Sequence, residues 1–136
     1  MEKKEILFIC TGNSCRSQMA EGFAHDMGLN ANSAGTWPET EVNPFAVKVM
    51  AEMGINIVDN VPDPVSKYLD KDFDIVATVC DNAREACSVF TGSCKQKIHH
   101  GFVDPADAAG SDAEITEVYR QVRDEIQVWV IELTEL

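Results

Sequence analysis

No apolar run in this sequence approaches the ~18 residues that a membrane-spanning helix needs. The stretch behind Lys3 and Lys4 runs only from Ile6 to Cys10, too short for the core of a signal peptide, so a cytoplasmic location is expected. Positive charge is scarce: 11 Lys and Arg stand against 23 Asp and Glu, a net charge of −12. That balance argues against nucleic acid or an anionic membrane as partner. Any anion handled here needs a site that is locally positive within an adverse overall field. Internal repeats, low-complexity tracts and linkers are missing too. The 136 residues suffice for one domain, 1–136, with a buried core, and a monomer is expected.

Cysteine, by contrast, is plentiful. Five is an odd number, and structural disulfides are disfavoured in the cytosol, so metal, redox or nucleophilic roles gain weight. The surrounding pattern is α/β. Glu5–Cys10 (EILFIC) reads as a short buried strand, and 17–27 as a helix with Met19, Ala20, Phe23, Ala24 and Met27 on one stripe. Residues 31–36 predict a second strand. Asn43-Pro44 opens a helix that Gly54 ends. The β-branched run 73–80 (FDIVATVC) predicts a third strand, 97–103 (KIHHGFV) a fourth, and Ile115 to Leu133 a long amphipathic helix. Alternating strands and helices imply a three-layer fold with a central four-stranded parallel sheet flanked by helices. Ligands of such sheets bind at the carboxyl ends of the strands, where Cys10 and Cys80 both fall.

Cys10-Thr11-Gly12-Asn13-Ser14-Cys15-Arg16-Ser17 reads as an oxyanion cradle. A loop entering a helix N-terminus turns backbone N–H groups inward, and the helix dipole adds positive charge. Gly12 and Asn13 tolerate the positive φ that a tight anion nest needs. Arg16 can grip two oxygens with its planar fork. The same field favours the thiolate of Cys10, and Ser14 or Ser17 could donate a hydrogen bond to it. Cys15 carries no independent signal; its side chain is expected to pack against the helix.

This loop resembles the signature of the low-molecular-weight tyrosine phosphatase fold. The longer string CTGNSCRSQMAEG, with SAGT at 33–36 and NP at 43–44, is similar to the thioredoxin-coupled arsenate reductases that share that fold, and the resemblance covers nearly the whole chain. It implies reduction of arsenate to arsenite. Cys10 is then the nucleophile, and residues 11–17 hold the oxygens. Cys80 and Cys87 form a thiol relay. Phosphate or sulfate competes for the cradle, and thioredoxin is the reductant. Cys80, Cys87 and Cys94 are spaced seven residues apart, a spacing that does not match paired zinc ligands. In a regular helix, residues 80 and 87 would lie about 10 Å apart, beyond the ~7 Å reach of a disulfide, so their bonding needs the segment to unwind. The chain departs from the family pattern at two points. Ser88 follows Cys87 in place of proline, and Cys94 is extra, which leaves two candidates for the final resolving thiol.

Asp104, before Pro105, is an N-cap on its own chemistry, and the resemblance makes it the general acid for the leaving oxygen. Related phosphatases place tyrosines after that Asp-Pro, whereas Ala106, Asp107 and Ala108 stand here, which suits a small inorganic anion. The resemblance implies no tightly bound cofactor beyond a potassium ion at positions matching Asn13, Glu21, Ser33 and Asp63. Two other functions use the same loop. A low-molecular-weight protein tyrosine phosphatase needs Cys10, Arg16 and Asp104 but no relay thiols. A non-enzymatic oxyanion or redox sensor closes a disulfide without turnover and has no use for Asp104.

Overall fold

Four parallel strands, in the order β2-β1-β3-β4, make the single sheet of the computed structural model, which describes residues 4–80 and 90–135. The elements are β1 (Glu5–Cys10), α1 (Arg16–Asp26), β2 (Asn30–Gly35), α2 (Pro44–Ala51), β3 (Phe73–Thr78), β4 (Cys94–His99) and α3 (Asp112–Leu133). Short 3-10 turns lie at Val65–Tyr68 and Pro105–Asp107. β1 is central, paired to β2 on one side and β3 on the other. Both of its faces are covered, and Ile6, Leu7, Phe8 and Ile9 are completely buried. That double burial explains why the strand reads as an unbroken apolar run rather than an alternating one.

Side chains of β1 divide the core. Ile6, Phe8 and Cys10 join one cluster with Met19 and Phe23 of α1, Val49 and Met50 of α2, and Ile126 and Trp129 of α3. Trp129 meets Phe8 edge-on at 5.8 Å and Phe102 at 5.5 Å. Leu7 and Ile9 face the other way, where the cover among the described residues comes from Val65, Tyr68 and Phe90.

Most elements lie within a residue or two of their expected bounds. β4 is the exception: it spans Cys94–His99, not 97–103. Its sequence, CKQKIH, is largely exposed along the sheet edge, so it lacks the apolar pattern that marks a strand. Lys95 and Lys97 belong to the charged residues that commonly blunt such edges. The later residues of the expected strand leave the regular ladder at Gly101, although His100 and Phe102 still donate N–H groups to Thr78 and Val79. β3 likewise stops at Thr78, two residues before Cys80.

Helix ends follow local chemistry. The Asn43 side chain accepts from Phe45 N–H at 2.9 Å to start α2. Ser111 and Glu114 form a reciprocal capping box at α3. Gly28, with φ 85°, takes the left-handed position beyond α1. Glu52, just after α2, binds Arg120 and Arg123 of α3 at 2.7 and 2.8 Å, and Arg123 also donates to the Val49 carbonyl at 2.9 Å. Hydrogen bonds from Arg120, then from Arg123, hold the Glu52 carboxyl down at about 2. A depressed carboxylate contributes stability above its unfolded pKa, and that contribution disappears as pH falls through the folded value. Glu52→Gln should therefore lower Tm relative to the parent at about pH 6, with the difference fading as pH drops from about 4.5 to about 2. Thermal melts followed by circular dichroism check this; a difference that persists undiminished at the acid end contradicts the ion-pair account.

Candidate active site

The chain runs from β1 to β2 on one side and places β3 on the other, so the direction of winding switches beside β1. Crevices at such switch points, outside the carboxyl ends of the strands, are where α/β sheets bind ligands. Cys10 is the last residue of β1, and Arg16 is the first of α1. Between them the loop is held from outside. The N–H groups of Thr36, Trp37, Glu39 and Asn43 donate to the carbonyls of Cys10, Thr11, Gly12 and Ser14 at 3.2, 2.8, 2.9 and 3.0 Å. A peptide's C=O and N–H point in opposite directions. With these carbonyls drawn outward, the amides of residues 11, 12, 13 and 15 turn inward. Cys15, at the N-cap of α1, makes no side-chain cap bond, so the first-turn donors of the helix also have no capping side chain.

Gly35 makes this close approach possible. A Cβ there would lie 2.7 Å from the Thr11 carbonyl oxygen and 3.0 Å from the Asn13 nitrogen, both backbone atoms. Asn13 alone among the described non-glycine residues has positive φ, 51°. Gly12, expected to share that conformation, does not; its lack of a side chain instead makes room for Glu39, whose Cγ lies 3.0 Å from the position a Gly12 Cβ would take.

Asn13 is fully buried and reaches Cys10 through Ser17. Its Oδ1 accepts from Asp63 N–H at 2.9 Å and Gln18 Nε2 at 3.3 Å, and its Nδ2 donates to Ser17 Oγ at 2.7 Å. With an N–H already arriving at its oxygen, the Ser17 hydroxyl can direct its own proton to Cys10 Sγ, 2.9 Å away. Ser17 is thus the hydroxyl beside Cys10, and Ser14 Oγ lies 3.7 Å from Cys15 Sγ instead.

Arg16 is buried and donates to the Phe102 carbonyl at 3.2 Å, while a second guanidinium nitrogen lies 3.4 Å from Asp104 Oδ2. The other Asp104 oxygen accepts from Ala106 N–H at 3.0 Å, capping the Pro105–Asp107 turn. Capping and proximity to the cradle therefore coexist in one side chain. These groups enclose a cavity of about 160 Å3 lined by Cys10, Thr11, Gly12, Ser14, Cys15, Arg16, Trp37, Glu39, Asp104 and Ala106. Trp37 and Glu39 escaped the sequence reading. Only their place after β2, on the carboxyl edge of the sheet, could have pointed to them.

The other cysteines differ sharply. Cys15 Sγ lies 3.5 Å from the Tyr119 hydroxyl, and burial pushes its thiol up to about 11, keeping it neutral. Cys80 is fully buried just beyond β3 and is disulfide-bonded, whereas Cys10, Cys15 and Cys94 are free. Cys87 lies outside the described residues. Cys94 begins β4 opposite Phe73, at the amino edge of the sheet. His99 is the residue level with Thr78, so Cys94 sits five residues below the carboxyl edge, about 17 Å at ~3.3 Å per residue.

Asn13, Glu21, Ser33 and Asp63 belong to one polar cluster. Ser33 Oγ donates to Glu21 Oε1 at 3.0 Å, and Asn60 links Glu21 to Gln18 at 3.2 and 3.1 Å. Burial raises the Glu21 carboxyl above its ordinary range, and the nearby Asp63 charge adds to this. Oxygen donors around an acid with this environment fit a hard cation. Among the described residues, no three His, Cys, Asp or Glu side chains gather into a metal-binding group.

The family described as low molecular weight phosphotyrosine protein phosphatase matches residues 5–135. An arsenate reductase of Halalkalibacterium halodurans is 43% identical over 136 residues, covering 93% of this chain and 91% of that protein. Among solved structures, an arsenate reductase in an oxidised state superposes with TM-score 0.78 at 28% identity, covering 96% of this chain and 95% of the other. One in a phosphate-binding state gives 0.74 at 31% identity with the same coverage. The chain therefore belongs to the low molecular weight phosphotyrosine protein phosphatase family, in the arsenate reductase group that these relatives define.

Proposed function

We propose that this protein reduces arsenate to arsenite through a nucleophilic cysteine and a disulfide relay recycled by thioredoxin, in the cytoplasm and as a monomer. The observation that carries the reading is the disulfide-bonded Cys80, buried at the carboxyl edge beside the strand that ends in Cys10. A hydrolase of this fold has no use for it. Among the described residues no helix is long and apolar enough to cross a membrane.

The Cys10 thiolate attacks arsenic, with Arg16 and the inward amides holding the oxygens. Asp104 protonates the departing oxygen, which leaves as water. The Cys80 thiolate then attacks Cys10 Sγ. The S–As electron pair passes to arsenic, reducing it and releasing arsenite, and a Cys10–Cys80 disulfide forms. Cys87 attacks Cys80, frees Cys10, and leaves a Cys80–Cys87 disulfide for the dithiol of thioredoxin. Potassium at Asn13, Glu21, Ser33 and Asp63 would supply positive charge beside Glu21, and Asn13 couples that cluster to Ser17.

Cys10→Ser should abolish arsenite production in an assay with thioredoxin, thioredoxin reductase and NADPH. More than trace turnover would remove the nucleophile assignment. Arg16→Lys keeps the charge but loses the two-pronged grip, and kcat/KM should fall about 10²–10³-fold. Near-parental kinetics would mean that Arg16 serves packing against Phe102 alone. For the relay, Cys80→Ser should block arsenite release, Cys87→Ser should stall after one turnover as Cys10–Cys80, and Cys94→Ser should turn over normally, given the distance of Cys94 from the cradle. Peptide mapping after arsenate without reductant should yield a Cys80–Cys87 peptide. A dominant peptide containing Cys94, with Cys94→Ser inactive, would transfer the resolving role to that residue.

A further inference from the structure

Two carboxylates stand on the wall of the anion cavity, and the mechanism uses one of them. Asp104 is engaged at both oxygens, by Ala106 N–H and by Arg16. Glu39 is different. Its own N–H donates to the Gly12 carbonyl at 2.9 Å, which fixes the residue over the cradle. Its Cγ and Oε1 lie 3.0 and 3.6 Å from the place a Gly12 Cβ would occupy, so the side chain lies against the loop. Glu39 lines the cavity at its solvent-exposed rim, and its carboxylate has no hydrogen-bond or ion-pair partner among the described residues.

An unpaired carboxylate at such a site repels any bare anion. The repulsion turns into a charge-assisted hydrogen bond when the ligand brings a proton, because an O–H of the oxyanion can donate to the carboxylate. Near neutral pH, arsenate and phosphate each carry such a hydroxyl, whereas sulfate has none. We propose that Glu39 is a specificity-determining residue that accepts a hydrogen bond from the hydroxyl of a protonated tetrahedral oxyanion, admitting arsenate and phosphate and rejecting sulfate. Phosphate and sulfate, equal competitors on the sequence reading, are separated by this one side chain. The assignment rests on the arsenate reading for the identity of the substrate, while the selection rule itself concerns binding.

Calorimetric titration of the reduced full-length protein with phosphate and with sulfate, near neutral pH and at constant ionic strength, tests it. The parent should prefer phosphate. Glu39→Gln keeps the side-chain size but can donate an N–H to an unprotonated oxygen, so sulfate should bind about fivefold tighter or more and phosphate more weakly. Glu39→Ala removes both the repulsion and the acceptor and should narrow the ratio in the same direction. A parent without preference, a parent that binds neither anion, or a ratio unchanged in both variants overturns the assignment. Arsenite production by the parent is measured in parallel. If the ratio responds but arsenate is not reduced, the selection rule stands and the activity reading fails. If arsenate is reduced and the ratio does not respond, Glu39 alone loses its role.

Discussion

The outward pull on four carbonyls of the loop after β1 is the constraint on which the rest of the site depends. Without the N–H donors of the segment 36–43, the peptides of residues 10–15 would have no reason to present their own N–H groups to one point. The positive φ of Asn13, the absent side chain at Gly35 and the bridge from Asp63 to Asn13 all serve that orientation. A protein of net charge −12 thereby builds a locally positive site chiefly from backbone dipoles, with Arg16 as the one cationic side chain among the described residues that line the cavity.

Two thiols five positions apart show how strongly local geometry overrides sequence proximity. Cys10 ends a strand, meets the Ser17 hydroxyl and opens into the cavity. Cys15 is directed into the contact between α1 and α3, where burial beside Tyr119 keeps it protonated. Tyr119 in turn stacks on Phe45 at 5.4 Å, so the inert thiol belongs to the same packing that seats α2 and α3. The two cysteines are separated by environment rather than by chemistry of their own.

Much of this was legible in the residues themselves. The run 6–10 is apolar because β1 is buried on both faces, and the polar loop behind it announces a site because nothing in a core needs Gly, Asn, Ser and Arg together. Legibility fails where a segment's role depends on partners distant in sequence. β4 has no apolar pattern, since an edge strand is specified by its pairing to β3 and not by burial. Gly12 looked like a φ residue, but its purpose is room for a side chain 27 positions away. Trp37 and Glu39 sit in a short polar stretch whose sequence resembles any surface loop; only the fold brings it over the cradle.

The strap holding the loop uses main-chain donors at 36, 37, 39 and 43, and the side chains of Trp37 and Glu39 take no part in it. The cradle is therefore built by one set of atoms and its rim by another. Residues on the rim can be exchanged without disturbing the inward amides of the cradle. Diversification of ligand choice in such an architecture is decoupled from preservation of the reaction, and a new preference can arise by changing a side chain whose loss the scaffold would not register.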